Sequence, residues 1–205
     1  MKILIANDDG IFAPGIAALV RAFSAAGHEV IVCAPDGQRS AASHSISIAK
    51  PVDVKEIEFQ GAVKAYAIGG TPADCVKLGL TVLCPQAEAV VSGINKGYNV
   101  GTDILYSGTV AAAMEGAICG RPALAISQME KREDYTKAAE LAEEMFEKLG
   151  IEDETEASTV SGWVMEKTEK IPQSGDTFDC GNWHAVVLKA DDRHVQEIQL
   201  TQIEA

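Results

Sequence analysis

The amino-acid sequence predicts an α/β fold: a Rossmann-like, mostly parallel sheet with helices on both faces, followed by a small β-rich α+β module. Two observations lead to this prediction. Apolar runs of strand length alternate with helical patterns over residues 1–149, as expected for a parallel sheet built from βαβ units. After Gly150 the pattern changes, and so does the charge: residues 150–205 carry 12 acidic and 4 basic side chains, against 18 and 13 in residues 1–149.

The first 37 residues are predicted to form one βαβ unit. Lys2–Ala6 is a short apolar run that ends at polar residues, which is typical of a buried parallel strand. Gly15–Ala26 has apolar residues at helical spacing, and Gly27 after it is a common helix terminator. Glu29–Ala34 is a second apolar strand, and the Pro35-Asp36-Gly37 sequence that follows is a turn signal.

The same alternation continues to residue 149. Thr71-Pro72-Ala73-Asp74 predicts a helix start, with a capping threonine, a proline at the first helical position and an acidic residue three positions after the cap. The other predicted elements of this region are the strands Lys64–Ile68, Ala87–Ser92 and Ala123–Ser127 and the helices Ser107–Cys119 and Tyr135–Leu149.

The segment after Gly150 is predicted to be a separate module, which gives two domains over residues 1–150 and 151–205. This module lacks the βαβ pattern and shows alternating apolar positions instead. Its predicted elements are, in order, an acidic linker over residues 152–156, a short helix over Thr159–Lys167, a turn-rich stretch at residues 171–176, and strands over Thr177–Ile203 with turns at residues 181–182 and 191–192.

The composition excludes several classes of protein. With 47% hydrophobic and 23% charged residues, the chain is typical of folded proteins, and a net charge of −13 argues against a surface for duplex nucleic acid. No apolar stretch reaches about 18 residues, so no membrane span is expected. The N-terminus becomes acidic too early for a signal peptide, and the five widely spaced cysteines indicate neither a disulfide scaffold nor a zinc site. These features predict a cytoplasmic location.

Asn7-Asp8-Asp9-Gly10 follows the first predicted strand directly. In an open parallel sheet, the carboxyl ends of the strands face the ligand crevice. Two adjacent carboxylates repel each other there unless a cation neutralises them, and oxygen ligands suit Mg²⁺ or Mn²⁺. These four residues alone leave two interpretations open: a site for a divalent metal ion, or a solvated turn.

Three further polar segments are expected at the same edge of the sheet. Ser40 and Ser43 lie in the loop after the second strand and could bind a metal or phosphate, although an ordinary polar loop is the alternative. Asn95 would bring an amide oxygen beside the aspartates, although an ordinary glycine-rich loop is the alternative for its segment. Ser107-Gly108-Thr109 opens a helix whose free N–H groups suit an anion, or simply caps it. A metal beside an anion site favours metal-assisted hydrolysis of a phosphate ester.

Four motifs in order closely resemble the SurE (survival protein E) family: NDDG followed by APGI, then APDGQRSAAS, GGTPADCV and VVSGINKGYNVGTDILYSGTVAAAMEG. The resemblance covers residues 1–149. It implies a hydrolase, a metal-dependent 5'/3'-nucleotidase that acts on nucleoside monophosphates with one divalent ion, Mg²⁺ or Mn²⁺. By the family pattern, the metal ligands are Asp8, Asp9, Ser40 and Asn95, the catalytic residues among them are Asp8, Asp9 and Asn95, and the phosphate site is lined by Asn7, Ser43, Ser107, Gly108 and Thr109.

The C-terminal segment resembles a different family. Residues 155–203, which include TVSGW and KIPQSGDTFDCGNWHAVVLKADDRHVQEIQL, resemble the CorC/HlyC transporter-associated domain. That resemblance implies a regulatory or ligand-sensing module. The SurE family's own C-terminal extension, which helps to form dimers and tetramers, is not recognisable, so a homodimer is compatible with the sequence and a tetramer is not expected.

Two functions from different classes therefore stand side by side. The first is the nucleotidase. The alternative is a catalytically impaired fusion or chimera that binds nucleotide or metal, or that acts as a transporter-associated regulatory protein. The four histidines form no triad-like set; for His44, which lies near the Ser40 loop, a minor role in the site is an alternative to a surface role.

Overall fold

The computed structural model describes residues 1–129, 131–148, 160–168, 170–180, 183–190 and 195–202. The chain divides into two compact units, Met1–Phe146 and Glu147–Ala205. The predicted acidic linker and the predicted turns at residues 181–182 and 191–192 lie outside the described residues.

The first unit is built on a six-stranded sheet. Its strands lie in the order β3-β4-β2-β1-β5-β6, and every neighbouring pair is parallel except β3 and β4. This mostly parallel sheet confirms the predicted fold class. The strands are β1 (Lys2–Ala6), β2 (Glu29–Pro35), β3 (Val54–Ile57), β4 (Lys64–Ile68), β5 (Ala89–Lys96) and β6 (Ala123–Gln128).

Three α-helices connect strands of this sheet and a fourth follows β6, and they begin and end within one or two residues of the positions that the sequence predicts. A π-helical turn (Gly79–Leu83) continues the second helix, and a 3₁₀ helix (Gly101–Leu105) precedes the third. The helices are α1 (Pro14–Ala25), α2 (Pro72–Leu78), α3 (Gly108–Ile118) and α4 (Thr136–Lys148).

The apolar run of β1 is buried on both faces of the sheet, as expected for a central parallel strand. Leu4 belongs to the core cluster that α2 and α3 cover. Ile3 and Ile5 alternate with Leu4 and therefore face the opposite side. There α1 and α4 meet through the rings of Phe23 and Phe146, whose centroids lie 5.6 Å apart. Helices thus cover both faces.

Three thiols lie in the core cluster between the sheet and the pair α2 and α3. Cys33, Cys75 and Cys84 are completely buried. Burial raises the pKa of the Cys75 thiol, because a thiolate would lose its hydration there. Cys75 therefore acts as a small apolar side chain.

The strand order places a crevice at one point of the sheet edge. From β1 the chain moves outward through β2 to β4 and then returns to the other side of β1 as β5. The order therefore reverses between β1 and β5. In open α/β sheets, ligands bind at the carboxyl ends of the strands beside such a reversal. The residues that follow β1 and those that end β5 should accordingly form the site.

Asp74 fixes the start of α2 to the long segment between β2 and β3. The carboxylate accepts hydrogen bonds from the backbone N–H of Thr71 (2.9 Å), which completes the predicted capping box, and from the N–H (2.9 Å) and Oγ (2.7 Å) of Ser47. Burial alone would raise the pKa of Asp74, but these hydrogen bonds outweigh that effect and lower it. The ionised carboxylate thus stabilises the fold.

Replacing Asp74 by Ala is expected to lower the free energy of unfolding by about 2 kcal/mol at pH 7, because a helix cap and charged hydrogen bonds are lost. A group whose pKa is lowered by folding stabilises above its unfolded pKa of about 4 and loses that effect as the pH falls further. Urea unfolding of both proteins at pH 7 and pH 3 should therefore show a smaller difference at pH 3. The same test on Glu56→Gln, an exposed site on β3, should show little change at either pH.

The described residues of the second unit form one helix and an antiparallel sheet in the order β7-β8-β9. The rings of Trp163 and Phe178 pack edge to face at 5.1 Å, and Val164, Ala185 and Val187 are buried. This sheet confirms the predicted β-rich module. The elements are α5 (Val160–Thr168), β7 (Thr177–Cys180), β8 (Trp183–Ala190) and β9 (Val195–Gln202).

None of the helices described is long and apolar enough to cross a membrane.

Candidate active site

Asp8 lies in the turn directly after β1, against the first turn of α3. Only 7% of the residue is exposed, and Thr109 Oγ1 donates a hydrogen bond to Asp8 Oδ1 (2.5 Å). A Cβ on Gly108 would lie 2.7 Å from the Asp8 Cβ, so that only glycine allows this approach. Burial raises the pKa of Asp8, and hydrogen bonds from Thr109 and Gly108 partly oppose the rise.

Asp9 is half-buried beside Asp8 and approaches the end of β5. The backbone N–H of Lys96 donates a hydrogen bond to Asp9 Oδ2 (3.3 Å). Burial raises the pKa of Asp9, and the neighbouring charge of Asp8 raises it further. Ionisation of this pair is therefore less favourable than that of exposed carboxyls, and a cation bound by both would offset the difference.

Asn95 lies inside β5 and not, as predicted, in a loop after it. The pairing of β5 with β6 shifts its register between Ser92 and Asn95, so the strand bulges and then continues to Lys96. The amide nitrogen of Asn95 donates to the carbonyl of Gly97 (2.8 Å). This bond orients the amide, and Oδ1 is the atom that a cation could use.

Ser40 and Ser43 belong to the segment that leaves β2, and this segment passes the same turn. The N–H of Arg39 donates to the backbone carbonyl of Asp8 (2.7 Å), so Ser40 is one residue away from a direct contact with the turn. Ser40 Oγ accepts a hydrogen bond from Gln38, and the N–H of Ser43 donates to the carbonyl of Tyr106 beside α3.

This segment has a strained backbone. Ala41 and Ser43 have φ angles of 55° and 49°, the left-handed region that costs a non-glycine residue about 1–2 kcal/mol. Such conformations persist where the surrounding structure imposes them, and they are frequent at binding sites.

Asn7 and Ser107 are both buried, but in different roles. Asn7 Nδ2 donates to the carbonyl of Gly10, and Asn7 Oδ1 is buried without a hydrogen-bond partner among the described residues. Ser107 Oγ accepts from the N–H of Val110 and is the N-cap of α3. Ser107 therefore caps the helix, while Thr109 uses its hydroxyl on Asp8.

The carboxyl ends of β1 and β5, the turn after β2 and the start of α3 therefore meet at one point. Residues 3–171 match the protein family described as Survival protein SurE. The chain belongs to the SurE family. The match continues beyond residue 149 to residue 171, so it includes the start of the segment for which the sequence predicted a CorC/HlyC module.

Individual relatives of this SurE-family chain carry the same family name. It is 54% identical over 147 residues to a protein of Clostridium beijerinckii named 5'-nucleotidase SurE, which covers 69% of this chain and 58% of the relative. A Synechococcus elongatus protein of the same name is 50% identical over 153 residues, covering 73% and 59%. The chain thus spans about three fifths of the length of these curated relatives.

A solved structure of a SurE protein has the same fold. The crystal structure of the SurE protein from Aquifex aeolicus superposes with a TM-score of 0.67 at 39% identity, and the match covers 75% of this chain and 62% of that one. The parallel sheet of the first unit is therefore a SurE fold.

The oxygen donors of the SurE-family site suit a hard divalent cation. Over the described residues, no three His, Cys, Asp or Glu side chains are grouped to hold a metal ion. The expected ligand set instead combines the carboxylates of Asp8 and Asp9 with the neutral oxygens of Asn95 and Ser40. Asn7 Oδ1, which has no hydrogen-bond partner among the described residues, adds a buried acceptor from the same turn. This chemistry fits Mg²⁺ or Mn²⁺.

A cavity of about 490 Å³ opens beside Asp9. This volume is within the range that a small-molecule ligand occupies. Lys96 and Arg132 bring positive charge to its wall, and Tyr135 brings an aromatic ring. The other lining residues are Ala13, Pro14, Gln38 and Glu133.

The sequence did not single out these cavity residues as candidates. Lys96 follows Asn95 in the glycine-rich motif, and this position could have indicated that Lys96 lies near the site. Arg132 lies in the charged run Lys131–Asp134, which is typical of a solvated surface, and Tyr135 was assigned to a helix. Only the tertiary fold brings Arg132 and Tyr135 to Asp9.

Proposed function

We propose that this SurE-family chain is a metal-dependent phosphomonoesterase that hydrolyses nucleoside monophosphates to nucleoside and phosphate. The observation that carries the proposal is the contact of the buried Asp8 carboxylate with the first turn of α3. This contact brings the carboxylate pair, which would hold the metal ion, next to the helix N-terminus, which would bind the phosphate oxygens. The curated relatives named 5'-nucleotidase SurE support the same reaction.

Each site residue has a role in this proposal. Asp8, Asp9, Ser40 and Asn95 hold one Mg²⁺ or Mn²⁺. The chemistry that such an ion supplies when bound is Lewis-acid activation of a phosphoryl group. The N–H groups at the start of α3, together with Asn7 and Ser43, hold the phosphate oxygens, because a helix N-terminus attracts anions.

Two cationic side chains of the site are available to a phosphate dianion. Lys96 and Arg132 line the cavity beside Asp9, where the carboxylates of Asp9 and Glu133 balance their charge. The Thr109 hydroxyl donates to Asp8 and holds the carboxylate in one orientation. Because the chain's net charge is −13 and this wall is balanced, the divalent ion would supply the positive charge that admits a mononucleotide.

Purified protein supplied with Mn²⁺ is expected to release inorganic phosphate from AMP, and EDTA should reduce the rate at least about 100-fold, since the carboxylate pair cannot bind a phosphate dianion by itself. Activity should return when Mn²⁺ is added in excess. Glucose 6-phosphate is the control substrate, because it offers the same ester without a nucleoside. Phosphate release that is insensitive to EDTA would contradict the metal assignment.

We further propose that residues 1–150 and 151–205 are separate domains, the second related to the CorC/HlyC transporter-associated domain. The antiparallel sheet β7-β8-β9 with its own buried Val164, Ala185 and Val187 supports a module with its own core. A protein that binds Mn²⁺ and AMP but releases no phosphate from any monoester would favour the alternative of a transporter-associated regulatory protein. A cytoplasmic location and a homodimer belong to the same proposal.

A further inference from the structure

Glu115 is a buried carboxylate in the middle of α3, outside the metal and phosphate site. Its side chain is 3% exposed, and two nitrogen atoms converge on it: His44 Nε2 at 2.7 Å and Lys77 Nζ at 2.8 Å. The thiol of Cys119 lies 3.8 Å away. A carboxylate this deep needs such partners, because burial of an unpaired charge is costly.

The two partners come from different parts of the fold. Lys77 belongs to α2, and its side chain remains 48% exposed. His44 belongs to the strained segment that leaves β2 and contains Ser40 and Ser43. Glu115 is thus the point at which α3 contacts this segment through a side chain.

The segment needs contacts of this kind to keep its shape. Its left-handed residues, Ala41 and Ser43, are held from both sides: the Ser43 N–H donates to the carbonyl of Tyr106, and Thr71 Oγ1 donates to the carbonyl of Ser45. His44 lies between these two contacts and adds the bond to Glu115.

The helix α3 therefore contacts both the turn after β1 and the segment that leaves β2. Thr109 contacts Asp8 at the start of α3, and Glu115 contacts His44 about 9 Å farther along the axis. The helix fixes the position of the segment relative to the carboxylate pair. A change at His44 would leave the carboxylates in place and release only the segment.

We propose that Glu115 is a positioning residue that acts through His44 to hold Ser40 and Ser43 in the site. The inference rests on the proposed function for the meaning of that site. On this proposal, the His44–Glu115 contact controls the order of residues 40–45 and the affinity for a divalent ion, and the Lys77–Glu115 contact does not.

The test compares His44→Ala with Lys77→Met, since each variant removes one partner of the same carboxylate. Mn²⁺ binding is measured by electron paramagnetic resonance, and the order of the segment by the rate of tryptic cleavage after Arg39. His44→Ala is expected to weaken Mn²⁺ binding about tenfold and to speed cleavage about tenfold, as for residues that orient metal ligands. Lys77→Met should stay within about twofold of the wild type in both measurements.

A conservative variant separates positioning from general loss of structure. His44→Gln keeps a side-chain N–H donor and should recover most of the Mn²⁺ affinity and of the resistance to trypsin. Equal effects of His44→Ala and Lys77→Met, with equal falls in melting temperature, would overturn the inference, as would a His44→Ala protein that behaves as the wild type in both assays.

These readouts also distinguish this inference from the proposed function. Neither measurement needs turnover. If the wild type releases no phosphate while His44→Ala still speeds cleavage after Arg39, the nucleotidase proposal fails and the positioning role stands. If the wild type is active and both measurements on His44→Ala are unchanged, the positioning role fails and the nucleotidase proposal stands.

Discussion

Replacing Asp8 by Asn is expected to lower Mn²⁺-dependent phosphate release about 10³-fold while making the metal-free protein more resistant to heat. Loss of one carboxylate removes several kcal/mol of metal-assisted stabilisation, and about 4 kcal/mol corresponds to that factor. Asn still accepts the bond from Thr109, so the turn keeps its shape. Phosphate release and thermal melting in EDTA measure the two effects.

The opposite sign of the two effects follows from the raised pKa of Asp8. A carboxyl whose pKa is raised by folding favours the protonated form, so its ionised form destabilises the fold at neutral pH. The stability of the metal-free wild type should therefore rise as the pH falls through that pKa, and the variant should show a smaller rise, because only Asp9 then contributes to it. Glu58→Gln, an exposed control, should change neither property. An Asp8→Asn protein with full activity would remove Asp8 from the metal site.

Replacing Gly15 by Ala is expected to destabilise the first unit by about 3 kcal/mol, or to prevent its folding. Gly15 lies in the first turn of α1, which packs on β5. An added Cβ would lie 2.2 Å from the carbonyl oxygen of Ile94 and 3.2 Å from its nitrogen. The obstacle is backbone, so no side chain can move aside, and overpacking of this kind is at the costly end of its range. The midpoint of urea unfolding measures the loss.

Gly37→Ala is the matched control for this substitution. A Cβ at Gly37 would meet no atom within 4 Å, so the same added methyl group should leave the unfolding midpoint nearly unchanged. Because Ile94 adjoins Asn95, a Gly15→Ala protein that does fold should also bind Mn²⁺ less tightly. An unchanged midpoint for Gly15→Ala would contradict the close packing of α1 on β5.

The fold of the first unit was largely predictable because its elements have strong periodic patterns. Lys2–Ala6 and Glu29–Pro35 are apolar on both faces, and α1 shows a clear apolar stripe. The strand β3 was missed. Its four residues, Val54–Ile57, are mostly exposed and include Lys55 and Glu56, so an edge strand of this kind has no apolar alternation to detect.

The site was predictable where local sequence decides it, and less so where tertiary structure does. Asp8 and Asp9 follow a recognisable strand, and the structure puts them at the reversal of strand order. Asn95 was expected in a loop, because the bulge that extends β5 depends on pairing with β6. Glu115 gave no signal, since its partners are 71 and 38 residues away in the chain.

The buried thiols of the first unit can report how often this unit opens. Cys33, Cys75 and Cys84 lie between the sheet and its helices with no exposed surface, whereas Cys119 at the end of α3 is partly accessible. A thiol reagent reaches the three core residues only in molecules whose packed layers have separated. The ratio of core labelling to Cys119 labelling thus reports how often the unit opens, with no engineered probe.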